Sequence, residues 1–272
     1  MTSDTETLLA GPPVAMAPPA PRPRASSYLA LRVVAVAVGL VAWEIVGRRV
    51  SPLLMAGPSA IALAGWDMLL SGDLAGALMA SGSSLLAGFL VATVVAIPLG
   101  LAMGWYRPME AMLDTYVTAL YATPLIALVP LIMLWFGVGF WSRAVIVAVM
   151  AVFPILINTQ AGVKDVSADL IELGRAFCAS ERAMFTKFVL PASVPFIMSG
   201  LRLAVGRAII GEVVAEFFTA LTGLGAVIVT AANNFQTAKL FVPVVVLMLL
   251  SVAFTGLVRG LERRLAHWKG AE

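Results

Sequence analysis

From Leu240 to Val258 the chain contains no charged residue, and from Ser83 to Gly104 it again contains none. A helix needs about 20 apolar residues to cross the hydrocarbon core of a bilayer. Comparable runs, some with isolated charges, lie at about 29–46, 112–136, 143–161 and 193–217. Six membrane spans are therefore expected. The apolar residues are continuous rather than alternating, which excludes a closed strand barrel and leaves an all-α polytopic membrane bundle. Composition agrees: 61% of the 272 residues are hydrophobic and 12% are charged, against about 25% charged in soluble domains. That leaves too little polar surface to cover a soluble core. Pro98, Pro124, Pro130, Pro154, Pro195 and Pro243 fall within the runs. No water is at hand to satisfy the backbone groups they free, so these helices must lean on one another.

The single cysteine, Cys178, excludes an internal disulfide and a cysteine metal cluster, and the single histidine, His267, excludes a histidine triad or a multi-histidine metal site. A net charge of +3 is too small to suggest nucleic acid. The placement of the basic residues says more. With the N-terminus in the cytoplasm, that side holds Arg22, Arg24, Arg32, Arg107, Lys164, Arg175, Arg182, Lys187, Arg259, Arg263, Arg264 and Lys269, against Arg48, Arg49, Arg143 and Lys239 outside. Both termini are thus expected to be cytoplasmic in a plasma (inner) membrane.

Residues 1–28, rich in Pro and Ala, are read as a disordered tail. Leu29 to Val46 is long enough to be an uncleaved first span rather than a signal peptide. Residues 29–260 form the membrane domain and 261–272 a C-terminal tail. Residues 48–80 read as an external connection with an amphipathic piece at Ser59–Leu70. The segment 218–239, with Thr222-Gly223-Leu224-Gly225-Ala226-Val227-Ile228-Val229, is too short to cross and too apolar for free solution, so a re-entrant or interfacial helix is expected there.

The longest cytoplasmic loop, 162–192, predicts two short helices. Ser167 caps the first, with Asp169 and Glu172 near its N-terminus and Leu170, Leu173 and Phe177 on one face. Ser180 caps the second, whose buried side is Met184, Phe185, Phe188 and Val189, and Pro191 is expected to stop that helix at Leu190 and restart the chain as span five. Gly174, Ala176, Cys178 and Ala179 are small residues on a solvent-side helix. A helical Gly costs about 1 kcal/mol relative to Ala, which either plain packing under the bundle or close approach of a partner must offset.

The order Glu172-Leu173-Gly174, three residues, Cys178, nine residues, Phe188-Val189-Leu190-Pro191 resembles the cytoplasmic signature of the membrane subunits of binding-protein-dependent ABC importers, Glu-Ala-Ala, three residues, Gly, nine residues, Ile-x-Leu-Pro. Cys178 stands where that signature has Gly. The resemblance extends over about 80–268. Ala122-Thr123-Pro124-Leu125, Leu134-Trp135-Phe136-Gly137, Phe153-Pro154-Ile155, Asn158-Thr159, Gly200-Leu201-Arg202, Ala215-Glu216 and Leu261-Glu262-Arg263-Arg264 are similar to the nitrate/sulfonate/taurine branch. The resemblance implies a coupling helix that docks into a separate ATPase subunit through Glu172, with Gly174 and Cys178 permitting close contact. It also implies a homodimer of this chain, an external solute-binding protein, and alternating access between two hinged bundles. The chain has no G-x-x-x-x-G-K-[ST] loop, so it is expected to be non-catalytic and without a cofactor, ATP and Mg being bound by the ATPase.

Charges within spans face protein or water. Arg202, Arg207, Glu212 and Glu216 lie in span five. Glu212 and Glu216 share a face at i, i+4, while Arg207 and Glu212 point about 140° apart. Arg207 either draws an anion along the dimer axis or makes an inter-helix ion pair that fixes a gate. Glu212, Glu216, Arg202 and Asn158 are path or gate candidates with the same choice. Asn158 and Gln160 end span four and are expected to cap it or bond between helices. Gly100-x-x-x-Gly104 and Gly256-x-x-x-Gly260 are candidate helix contacts. His267 and Trp268 are expected at headgroup level, and Cys178 as a small packing residue.

Three functions compete. The resemblance implies an ABC importer permease moving a small solute, an anion such as a sulfonate, nitrate or taurine, although related permeases also move neutral or cationic pyrimidines. An ion-gradient-driven secondary transporter or channel would need coupling carboxylates at mid-membrane, for which only Glu212 is available. A membrane-embedded enzyme would need paired catalytic carboxylates, a metal cluster or a nucleophile–histidine pair, and the sequence offers none.

Overall fold

A computed structural model describes residues 25–265 apart from 220, with side chains from residue 31 on. The tail through Arg24 and the end from 266, with His267, Trp268 and Lys269, lie outside the described residues. Every regular element among the described residues is helical. Helix α1 is Ala25–Arg49; at 1.5 Å per residue its 25 residues span about 37 Å, and it contains the run expected as the first span. Next come α2 (Pro58–Leu70), α3 (Asp73–Trp105), α4 (Arg107–Ala122), a 3-10 turn at Leu125–Leu128 and α5 (Val129–Phe136). They are followed by α6 (Phe140–Lys164), α7 (Ala168–Ala176), α8 (Glu181–Met184), a π turn at Phe185–Val189, α9 (Leu190–Thr219), α10 (Leu224–Asn233) and α11 (Thr237–Leu265).

Among the described residues α3, α6, α8 with α9, and α11 are each long and apolar enough to cross a membrane. The span expected at 112–136 is not straight: α4 and the segment from Leu125 to Phe136 meet at 88°. The cause is Pro124. It has no N–H to give, and it drives Thr123 into an extended conformation, φ −70° and ψ 137°. Pro98, Pro154, Pro195 and Pro243 lie inside helices instead. The amphipathic piece expected at 59–70 is α2, and the short apolar segment after span five is α10. Glu44 caps α2 by accepting the Ser59 N–H at 3.0 Å and its hydroxyl at 2.6 Å.

The core is α6 packed between α3 and α9, and glycine sets the spacing. Gly88, Gly100 and Gly104 of α3 lie in turn against Ala144, Leu156 and Val163 of α6, so these two helices run parallel. Gly200 and Gly211 of α9 lie against Pro154 and Met150, the antiparallel order. A Cβ at Gly88 would sit 2.4 Å from the Ala144 carbonyl oxygen and one at Gly100 2.7 Å from that of Leu156. A bilayer gives no hydrophobic drive between helices, so backbone approach of this kind holds them together. Gly100-x-x-x-Gly104 is therefore a helix contact. Gly256 and Gly260 meet no heavy atom within 4 Å. Ala96, Met103, Val147, Ala151, Ile155, Ala204, Val205 and Ala208 fill the interior. α3 and α6 begin at the end of the bundle where α9 finishes; the loop between α6 and α9 lies at the other.

Candidate functional site

The loop between α6 and α9 takes the predicted form at its caps. The Ser167 hydroxyl accepts the Leu170 N–H at 3.4 Å and the Ser180 hydroxyl that of Ala183 at 3.3 Å. Lys164, in the last turn of α6, pairs with Glu110 of α4. On α7 the apolar face of Leu170, Leu173 and Phe177 is exposed, Phe177 by 80%, and Glu172 stands beside it. Gly174 is the exception. It is buried, and a Cβ there would lie 2.9 Å from Met184 Sδ of α8, so it brings α7 onto its own neighbour rather than onto a partner. Met184 and Val189 are buried, and Phe185 meets Trp105 edge-on at 5.6 Å.

Cys178 has φ +52°. Its N–H bonds to the Arg175 carbonyl at 2.9 Å and that of Ala179 to the Gly174 carbonyl at 3.0 Å. This is the Schellman arrangement, whose left-handed residue after the helix is most often Gly. The position where the importer signature has Gly is thus a backbone turn, and Cys178 holds the same turn with a Cβ present and its thiol exposed. Pro191 does not stop the chain's helix at Leu190. The π turn at Phe185–Val189 widens the ladder just ahead of it, and the helix runs through Pro191, which has no N–H to place. Phe188 in this turn, and Leu190 and Pro191 at the start of α9, are half-buried.

Near the middle of α9, Arg207 lines a cavity of about 330 Å³ with Tyr121, Thr123, Pro124, Leu125 and Met150. The break between α4 and α5 supplies one wall. Arg207 is exposed, as are Leu203 and Ile210 on the same face of α9. Arg202 and Asn158 are elsewhere. Arg202 bonds Glu262 of α11 at 2.8 Å and Ser199 at 2.9 Å, and Asn158 donates to the Pro154 carbonyl within α6 at 2.8 Å. Both hold helices rather than lining the cavity. Gln160 is buried, and its Nε2 has no hydrogen-bond partner among the described residues.

Glu212 and Glu216 face the opposite way from Arg207, into the bundle. Arg143, counted on the external side from the sequence, lies in the first turn of α6 and is 6% exposed. It reaches Glu216 Oε1 at 3.1 Å and Glu212 Oε1 at 3.7 Å, and donates to the Thr222 carbonyl at 3.4 Å. From α3, Ser81 donates to Glu216 Oε1 at 2.6 Å and Ser84 to Glu212 Oε1 at 2.5 Å. Glu216 Oε2 accepts the Gly225 N–H at 2.7 Å, and Ser81 accepts that of Leu224 at 2.8 Å, so both cap α10. Gly223, φ +102°, is required here: a Cβ would lie 1.6 Å from Glu216 Oε1. Sequence reasoning missed Ser81 and Ser84. A clue to Arg143 was that it starts its span at the end where Glu216 finishes the next. Among the described residues no three His, Cys, Asp or Glu side chains gather as a metal site needs.

Comparison with known proteins brings in independent findings. The family model described as binding-protein-dependent transport system inner membrane component matches residues 96–267. A Bacillus subtilis permease named for aliphatic sulfonates transport is 33% identical over 237 residues, 86% of each chain. The formylaminopyrimidine transport permease of Halalkalibacterium halodurans is 31% identical over 85% of this chain and 92% of its own. The crystal structure of an amino acid ABC transporter with histidines shares the fold, with TM-score 0.55 over 73% of this chain and 97% of that one, at 16% identity.

Proposed function

The chain belongs to the family of binding-protein-dependent transport system inner membrane components and is a multi-pass inner-membrane permease of an ABC importer, and on that premise we propose that two copies of it carry a small anion along a path lined by Arg207. The observation that carries this is the exposure of Arg207 midway along a membrane-length helix. A charge at mid-bilayer costs about 2.5–3.5 kcal/mol on insertion scales, so such a face meets protein or water rather than lipid. A second copy set against Leu203, Arg207 and Ile210 covers the face and leaves the cavity beside Tyr121 and Thr123 as a wet path. Guanidinium and hydroxyl groups there suit an oxyanion such as a sulfonate. The relatives are named for sulfonates and for a formylaminopyrimidine, and the cationic lining favours the former class.

The exposed apolar face of α7, with Glu172 beside it, suits docking to an ATPase subunit on the cytoplasmic side. Lys164–Glu110 ties the root of that loop to α4, which carries Tyr121 to the cavity. An ion-gradient-driven transporter would have no use for α7, and Glu212 is inside the bundle rather than on the path. The test is a mild-detergent pull-down of the tagged chain with an ATPase assay, followed by reconstituted transport. An ATPase that co-purifies, and is lost when the Glu172 loop is disrupted, together with anion uptake reduced in Arg207→Ala, is the expected result. A chain that transports alone on an ion gradient would overturn the reading.

A further inference from the structure

The buried cluster between α3, α6, α9 and α10 does not balance in charge. Glu212 is 1% exposed, Glu216 0% and Arg143 6%. Every element packed against the two carboxyl groups can be named. α6 gives one cation, Arg143; α3 gives the neutral hydroxyls of Ser81 and Ser84; α10 gives the backbone N–H groups of Leu224 and Gly225. Asp73 and Lys239 line the adjoining cavity rather than the cluster. Two carboxylates against one guanidinium leave one negative charge uncompensated where water does not reach, one of the costliest arrangements a fold can hold.

The hydrogen bonds locate the deficit. Both oxygens of Glu216 are engaged, with Ser81 and Arg143 on Oε1 and the Gly225 N–H on Oε2. Glu212 receives Ser84 on Oε1, while its Oε2 is buried and reached by no donor among the described residues. The two carboxyl groups are one helical turn apart on α9, and both converge on one nitrogen of Arg143, at 3.7 Å for Glu212 and 3.1 Å for Glu216. Two anions so placed repel unless a positive charge lies between them.

We propose that Glu212 and Glu216 together bind one monovalent cation in addition to Arg143: a proton shared between the carboxyl groups, or an alkali ion held by the same oxygens. Either brings the cluster to zero net charge and gives Glu212 Oε2 its missing partner. The proton turns Glu212 into a donor to Glu216. The alkali ion instead draws on the carboxyl and serine oxygens. Either occupant stays with the permease as part of a neutral clasp on four helices, and this does not depend on which solute the permease moves.

Infrared spectroscopy of the full chain in detergent at neutral pH tests it, with and without ¹³C at the glutamate carboxyls. A protonated-carboxyl band that moves with the label and is absent from Glu212→Gln identifies the proton. Ser84→Ala, which removes the donor to Glu212, shifts the same band and serves if the first variant does not fold. The second arm follows thermal unfolding of the unaltered chain in Na⁺ or K⁺ against choline at fixed ionic strength. A saturable rise in midpoint with one alkali ion, and no acid band, identifies that ion. No labelled acid band and a midpoint indifferent to the cation would overturn the proposal, as would a band unchanged in both variants with an indifferent midpoint.

Discussion

Glu216 Oε2 accepts the backbone N–H of Gly225 at 2.7 Å, so the last turn of α9 caps the first turn of α10. Glu216 is also the nearer partner of Arg143, at 3.1 Å. One carboxylate thus fixes a short helix and closes an ion pair between two long ones.

Removing the cation of that pair strands the anions. Arg143→Ala is expected to destabilise the chain by about 3–5 kcal/mol, the range for breaking a buried pair from one side. Arg143→Lys recovers only part of this, because the contacts to Glu216, Glu212 and the Thr222 carbonyl are all made by Nη1 at the far end of Arg143, which the shorter lysine side chain does not reach as fully. Detergent-phase thermal unfolding measures both. A midpoint for Arg143→Ala equal to the unaltered chain would refute the assignment.

Cys178→Gly is expected to stabilise the loop that follows α7. The residue sits at φ +52°, where a Cβ costs about 1–2 kcal/mol and Gly costs nothing in sterics. Slower amide hydrogen exchange across Ala168–Ala176 is the readout. Faster exchange there would mean that the Cys178 side chain contributes something the backbone geometry does not show.

Phe177→Ser and Leu173→Ser change exposed side chains, so stability should move by no more than about 0.5 kcal/mol. Co-purification of the ATPase should fall sharply in both. Gly174→Leu is the contrast: it collides with Met184 and should cost stability before it affects docking.

At Arg207 a charge-assisted contact with a passing oxyanion is worth about 1.5–3 kcal/mol. Uptake by Arg207→Ala should therefore fall by roughly tenfold to a hundredfold, with the ATPase still bound. Uptake at the original rate would remove Arg207 from the path.

Gly100→Val tests the packing of α3 on α6. Its Cβ alone would lie 2.7 Å from the Leu156 carbonyl oxygen, and backbone does not yield as a flexible side chain does. Overpacking of about 1–3 kcal/mol or more is expected. Gly256→Val, where no heavy atom is near, should leave the unfolding midpoint of the chain unchanged.

Much of the fold was legible because its determinants are local. Of the six spans expected from apolar runs, four are helices of membrane-crossing length and apolarity among the described residues and a fifth is the bent α4–α5 pair; Ser167 and Ser180 gave the caps of the loop helices, and the five-residue offset of Arg207 from Glu212 correctly set them on different faces. What was not legible depends on partners far away in sequence. Nothing near Arg143 indicates that it turns inward to Glu216, and Ser81 and Ser84 look like any small residues near a helix start. Two prolines misled in opposite senses. Pro124 breaks its span, with Thr123 extended ahead of it, whereas Pro191 follows a π turn that pattern reading does not anticipate.

That π turn also sets angular phase. A π turn amounts to one extra residue in an α-helix, and each residue rotates the chain by 100°. Deleting one residue from Phe185–Val189 would restore an uninterrupted ladder and swing everything beyond it by about that angle. Arg207 would leave its cavity and Glu212 would leave Arg143 in the same rotation. The five residues at the foot of α9 therefore act as a clocking element, setting which side of a thirty-residue helix is buried and which is open.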